Sequence, residues 1–267
     1  MNEDLRFKII SIIKNSGEGH IPSSFSIVDI IEFIYGNVLK IYKNPSNVNR
    51  DYFILSKGHG CAALYTVLNK YGYLTNAQLK SYSHKNSILG GHPDSTKIPY
   101  VEASTGSLGH GFPLACGIAL GLKIKKKKNK VIVLLGDGEC QEGTIWESAN
   151  IASNRKLINL FAIVDWNKSA QQLMPLENLK DRWKSFGWEV HVINGHSRKD
   201  FNHMNKIINY FKSIGVELRK VSWLTKEQLL NSTIIVGVFA ILISLFIFIL
   251  DFGLTQVIKI IFNIEIG

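Results

Sequence analysis

Two side chains with hard oxygen donors each follow a short apolar run. Asp137 lies in Gly136-Asp137-Gly138, after Val131–Leu135, and Asn167 lies just past Leu160–Val164. A carboxylate and an amide oxygen are donors that Mg²⁺ or Ca²⁺ takes, particularly when a diphosphate holds the same ion. The glycines flanking Asp137 let the backbone approach a phosphate closely. A helix starting near Gly143 would add unpaired N–H groups and the positive end of its dipole. Three histidines sit in glycine loops: Gly19-His20, Gly58-His59 and Gly91-His92-Pro93. Imidazoles donate to phosphate oxygens and sugar hydroxyls and exchange protons near neutral pH. His84, His191 and His203 lack such context and read as surface residues.

The elements that must position these residues are legible from apolar periodicity. Leu5–Lys14 has helical spacing, and Ser16–Ser24 reads as a loop. Ser26–Val38 reads as a helix with Ser26 as its N-cap. Tyr52–Leu55 is a short buried strand and Cys61–Lys70 a helix. The glycine-rich stretch Ser104–Gly111 runs into a helix of small residues from Pro113. Val131–Leu135, Thr144–Ser153 and Leu160–Val164 make a β-α-β unit, then come a helix at Leu179–Phe186 and a strand at Trp188–Ile193. A crossover helix implies a parallel strand pair. The expected class is α/β: a doubly wound parallel sheet with helices on both faces. Ligands of such sheets lie beyond the carboxyl ends of the strands, where Asp137 and Asn167 both fall.

Composition shifts near Met204. The formal charge is +10, of which the first 203 residues carry +8. Part of that excess is the run Lys123–Lys130. It reads as a solvated loop rather than a nucleic-acid surface, because no aromatic residues are interleaved for base stacking. Cys61, Cys116 and Cys140 have neither zinc nor disulfide spacing, so packed thiols in a reducing compartment are expected. The opening residues are amphipathic and acidic, unlike a signal peptide. The stretch 206–220 is amphipathic, and Thr233–Leu250 has no charged residue. A helix over 232–250 would rise about 28 Å, close to the hydrocarbon thickness of a bilayer. Lys212, Arg219, Lys220 and Lys226 precede it, so the positive-inside rule puts the N-terminal side in the cytoplasm of a single-pass inner-membrane protein.

Ordered motifs carry a resemblance. Ser16-Gly-Glu-Gly-His20-Ile-Pro-Ser-Ser-Phe-Ser26, Leu55-Ser-Lys-Gly-His59-Gly, Gly91-His92-Pro-Asp, Ser104-Thr-Gly-Ser-Leu-Gly109-His-Gly and Gly136-Asp-Gly-Glu-Cys-Gln-Glu-Gly-Thr-Ile-Trp-Glu147 are similar to the N-terminal half of transketolase, from about Asp4 to His196. The resemblance implies thiamine diphosphate with Mg²⁺ (or Ca²⁺), and two-carbon ketol transfer between sugar phosphates. It implies Asp137 and Asn167 as metal ligands, with the Ser169 carbonyl as a third. Gly138 and His59 would meet the diphosphate, and Gly106-Ser107-Leu108 the aminopyrimidine side. His20 and His92 would be the catalytic histidines facing the ketol end of the substrate. Glu142 and Glu147 resemble acids that couple cofactor sites across a dimer. An ordinary acidic helix start is the alternative. Protein groups in such enzymes position the cofactor and manage protons. The family's pyrimidine-binding domain has no counterpart after residue 203, so a C-terminal (pyrimidine-domain) partner subunit is expected. Past His196 the family's next strand and lysine-glycine loop are missing too. His110 stands where the family commonly has Gln, and Ser169-Ala-Gln-Gln-Leu-Met departs from its usual loop. Deoxyxylulose phosphate synthase shares the Gly-Asp-Gly block and remains a sister reading.

Residues 204–267 resemble SecE, the small subunit of the Sec protein-translocation channel. The matching residues are Phe211–Trp223 with Glu217, Arg219 and Lys220, then Thr225-Lys-Glu-Gln, the apolar span and Asp251. As partners, the resemblance implies membrane lipid and a SecY-like channel subunit. An amphipathic interfacial helix followed by a span is coherent without the family name. Three organisations remain open: a translocon subunit with an appendage, a membrane-tethered half-enzyme, and two neighbouring genes joined by a frame slip.

Overall fold

The computed structural model describes residues 3–172, 174–220 and 226–262. The chain divides into two compact units, Met1–Gly215 and Val216–Gly267. In the first, the helices are α1 (Glu3–Ser16), α2 (Ile21–Phe33), α3 (Cys61–Lys70), α4 (Asn76–Lys80), α5 (Gly111–Ile124), α6 (Gly143–Asn154) and α7 (Leu179–Ser185). The strands are β1 (Tyr52–Leu55), β2 (Val131–Gly136) and β3 (Leu160–Asp165). They form one parallel sheet in the order β1-β2-β3, with Gly136 in register with Asp165.

Alternation along the strands feeds two cores. Phe53, Leu55, Ile132 and Leu134 pack with α1, α2 and α3 on one face. Ile54, Val131, Val133 and Leu135 pack with α5, α6 and α7 on the other. A sheet buried on both faces needs the near-continuous apolar run seen in β2, all of whose residues are buried. The small residues of α5 allow the close packing expected of them: Ala115 and Ala119 are wholly buried.

Several boundaries differ from expectation. Helix α2 starts at Ile21 with Pro22 in its first turn, where a missing N–H costs nothing. Ser26 is therefore interior to the helix rather than its cap, and its hydroxyl is free to act elsewhere. The short α4 has no apolar stripe long enough to reveal it. Its signal is the capping box of Thr75 and Gln78. The segment Trp188–Ile193 is not a strand. The Trp188 indole N–H donates to the Ala149 carbonyl (3.0 Å) and its ring packs in the second core, which draws the chain over α6 instead of into the sheet. In the basic run Lys125–Lys128 are exposed, as expected of a loop, but Lys130 is buried and pairs with Asp51 at 3.6 Å. The three thiols are buried and pushed up to about 12 by desolvation, so they pack rather than react.

Helix α8 (Arg198–Lys220) begins before Met204 and runs through it without a break. Phe201, Met204 and Ile208 are buried in the first core. The segment leading into α8 is tied down at Asp29 of α2. That carboxylate accepts two hydrogen bonds from Arg6 (3.0 and 2.7 Å) and lies 3.0 Å from His196 Nδ1. Helix α9 (Lys226–Phe262) contains Thr233–Thr255, 23 residues long and apolar enough to cross a membrane, none of it buried. The span extends past the expected end at Leu250 because Asp251 interrupts composition without interrupting the helix. Trp223 and the turn-like break beside it lie outside the described residues, as do the side chains of Glu217, Arg219 and Lys220.

Candidate cofactor site

The carboxyl ends of the three strands gather the loops that carry the motifs. Asp137 follows β2 directly and is only 5% exposed. Its Oδ1 accepts the Gly138 N–H at 2.9 Å. Its Oδ2 is buried and, among the described residues, has no hydrogen-bond partner. A buried carboxylate oxygen without a donor costs free energy unless a cation meets it. On the neighbouring strand end, Asn167 Oδ1 accepts the Ser169 N–H at 2.9 Å, and Asn167 Nδ2 donates to Asp165 Oδ2 at 3.2 Å. The two loops approach each other: a Cβ on Gly138 would lie 3.2 Å from the Ala170 Cβ. Among the described residues no three His, Cys, Asp or Glu side chains form a metal cage. The donor set here is a carboxylate with amide and carbonyl oxygens, and it suits a hard cation that takes its remaining oxygens from a diphosphate.

The three glycine-loop histidines converge, although they come from widely separated parts of the chain. The His20 and His59 rings meet edge-on with centroids 5.5 Å apart. The His92 ring lies against Gly106, whose φ is +152° and where a Cβ would come within 3.0 Å of the imidazole. Gly58 in turn abuts Gly106, since a Cβ there would fall 2.8 Å from the Gly106 nitrogen. Only glycines permit these approaches. Burial, then the charges of Lys57, His20 and His92, lower the His59 pKa to about 4. His59 is thus a neutral imidazole near pH 7 and can donate one N–H without carrying charge.

Glu139 organises the floor of the site. It is 1% exposed, accepts the Gly109 N–H at 3.0 Å and the Gly136 N–H at 3.3 Å, and is bonded by the Ser56 hydroxyl. Desolvation raises its pKa against those three donors. The Thr105 hydroxyl ties the same loop to β1 through the Leu55 carbonyl at 2.7 Å. Ser107 and Leu108 are exposed at the loop tip. Glu142 is exposed but packs against Gly109, where a Cβ would lie 2.8 Å from the Glu142 Cβ, while Glu147 lies on the exposed side of α6. Ser169 opens a short 3₁₀ turn beyond Asn167.

Ser26, Lys57, Glu139 and Asp165 do not stand out as site residues in the sequence, though all belong to this cluster. Ser26, Lys57 and Glu139 lie inside the family-like motifs. Asp165 ends an apolar strand, which is the one signal it offers.

Residues 1–217 match the family model for the transketolase thiamine diphosphate-binding domain. The chain belongs to this transketolase family. Residues 208–262 match the model for SecE/Sec61-gamma subunits of the protein translocation complex. The two matches overlap inside α8. An apulose-4-phosphate transketolase subunit of Phocaeicola vulgatus is 35% identical over 82% of this chain and 78% of its own length. The 6-deoxy-6-sulfo-D-fructose transketolase subunit of a Clostridium species is 39% identical over 68% of each chain. Human transketolase is 38% identical, but the match spans only 32% of its length. The crystal structure of Campylobacter jejuni transketolase superposes with a TM-score of 0.70 and 32% identity, over 79% of this chain and 34% of that one. The α/β transketolase fold is therefore established for the first unit. The apolar helix and the SecE match together indicate association with a membrane.

Proposed function

We propose that residues up to the middle of α8 form the diphosphate- and metal-binding half of a two-subunit transketolase, and that the segment beyond is a SecE-type membrane subunit. The observation that carries the first part is the buried Asp137 Oδ2, without a hydrogen-bond partner among the described residues, at the strand ends where three histidine loops and Asn167 gather. Asp137, Asn167 and the Ser169 carbonyl would hold Mg²⁺ (or Ca²⁺). Gly138 and His59 would face the diphosphate, and Gly106, Ser107 and Leu108 the aminopyrimidine side. Bound thiamine diphosphate would supply the carbanion chemistry of ketol transfer. The chain's own residues would orient it, exclude water, and offer His20 and His92 as donors to substrate oxygens. Glu142 and Glu147 face outward, where they could serve a dimer or partner contact.

Two relatives are named as transketolase subunits, which supports a separate pyrimidine-domain subunit here. The preferred substrates are sugar phosphates and transfer needs that partner. Calorimetric titration of thiamine diphosphate with Mg²⁺ into the detergent-solubilised full chain tests the binding half. Saturable, Mg²⁺-dependent heat is expected, and its absence at millimolar cofactor would overturn the assignment. Ketol transfer between sugar phosphates should appear only when a pyrimidine-domain subunit is added.

For the second part, the 208–262 match and the exposed apolar helix support a SecY-like partner, an inner-membrane location and a cytoplasmic first unit. Residues 204–267 should restore export in cells depleted of SecE. A membrane species of about 30 kDa is expected if the two parts remain joined; a much smaller band would reveal an independent start at Met204. Burial of Met204 and Ile208 in the first core favours the joined chain.

A further inference from the structure

Lys57 leaves the end of β1 and its stem passes over the end of β2, where a Cβ on Gly136 would sit 3.5 Å from Lys57 Cγ and Cδ. Its ammonium then reaches Asp165 at the end of β3, with Nζ 2.6 Å from Oδ2. The same ammonium donates to Ser26 Oγ (3.1 Å), and the Ser26 hydroxyl donates to Asp165 Oδ2 (2.7 Å). Lys57 is 3% and Asp165 8% exposed. Asp165 Oδ2 also accepts from Asn167 Nδ2 at 3.2 Å. A carboxylate can only accept from this amide, so Asp165 holds the NH₂ end of Asn167, while Oδ1 at the other end accepts the Ser169 N–H at 2.9 Å and keeps a lone pair for a further partner. An asparagine that is to offer oxygen to a cation needs this constraint. Lys57 Nζ, 2.6 Å from Asp165 Oδ2, holds that carboxylate in place among its partners.

We propose that Ser26, Lys57 and Asp165 are positioning residues that lock the Asn167 amide with its oxygen toward a divalent cation, coupling α2 and all three strand ends to that ion. This rests on the cofactor-site reading above and assigns to three residues a role that reading leaves open. Outer-shell partners of metal ligands commonly carry about 10–100-fold of metal affinity.

The test is Mg²⁺-dependent thiamine diphosphate binding by the full chain, followed by calorimetry and tryptophan fluorescence in wild type, D165N and S26A. In D165N the Mg²⁺ concentration for half-maximal cofactor binding should rise about tenfold or more. Excess Mg²⁺ should restore cofactor affinity, which a merely structural defect would not allow. S26A removes one neutral donor and should shift the midpoint about two- to tenfold. It keeps the buried ion pair and so guards against D165N failing to fold. Cofactor binding by wild type with unchanged Mg²⁺ midpoints in the folded variants would overturn the positioning role and leave the cofactor site standing. No binding by wild type would overturn both.

Discussion

The two units of this chain encode function in opposite ways. In Met1–Gly215 the chemistry sits in loops drawn from distant parts of the sequence and held at one edge of a buried sheet. In Val216–Gly267 it sits in the composition of one helix, with Thr233–Leu250 free of charged residues and wholly exposed. The first must be folded before it has a site. The second needs only length and hydrophobicity to enter a bilayer. Damage should therefore be local and severe in the first and additive along the helix in the second.

The strongest way to break that contrast is to charge the helix. F239R with I243R places two arginines one turn apart on α9, at about 2.5–3.5 kcal/mol each for a central position in a span. Carbonate extraction should move the chain from the pellet to the soluble fraction, while cofactor titration of the released protein stays as in wild type. If cofactor binding is lost as well, the units are not independent.

Within the first unit, the contrast sharpens between residues that hold the loops and residues that await a ligand. E139A would leave the Ser56 hydroxyl and two backbone N–H groups without their buried acceptor, and should destabilise by about 2–4 kcal/mol in urea unfolding, with E139Q milder. D137A should do the reverse: cofactor affinity at fixed Mg²⁺ falls at least about 100-fold, about 2.7 kcal/mol. Its melting temperature should hold or rise, because Asp137 Oδ2 has no partner among the described residues. A large fall in melting temperature for D137A would make Asp137 structural.

His59 adds a pH slope to these effects. His59 titrates at about 4 in the folded unit and near 6.5 when unfolded. Above 6.5 both states are neutral and the residue contributes nothing. As pH falls from about 6.5 to about 4 the unfolded chain binds the proton first, so stability drops across that window. Unfolding curves for H59Q should be flatter there than those of wild type. Equal slopes would show that His59 is not buried in the folded unit.

Regular elements are legible because their signals are local. Cys61–Lys70 matches its apolar pattern to the residue, β1, β2 and β3 match theirs to within one, and α5 starts two residues earlier than expected. Trp188–Ile193 has a strand's alternation, but its tryptophan is taken by α6. Ser26 has a cap's chemistry, but its hydroxyl is taken by Asp165. Lys130 belongs to a basic run, yet Asp51 draws it inside. For Trp188 and Lys130 a partner far along the chain outcompeted the local preference; for Ser26 the earlier start of α2 at Ile21 left its hydroxyl to reach Asp165 and the Ser23 carbonyl.

From its sequence alone the chain commits to a parallel α/β sheet, an apolar helix long enough for a bilayer, and the motif residues Asp137, Asn167, His20, His59 and His92. Periodicity and spacing suffice because each element forms from neighbours in the chain. The tertiary structure decided which of those residues share a site, that Asp137 keeps an oxygen with no partner among the described residues, and that Asp165 collects donors 108 and 139 residues away. Burial and hydrogen-bond geometry depend on what packs from the far side of the sheet, and no local pattern records that.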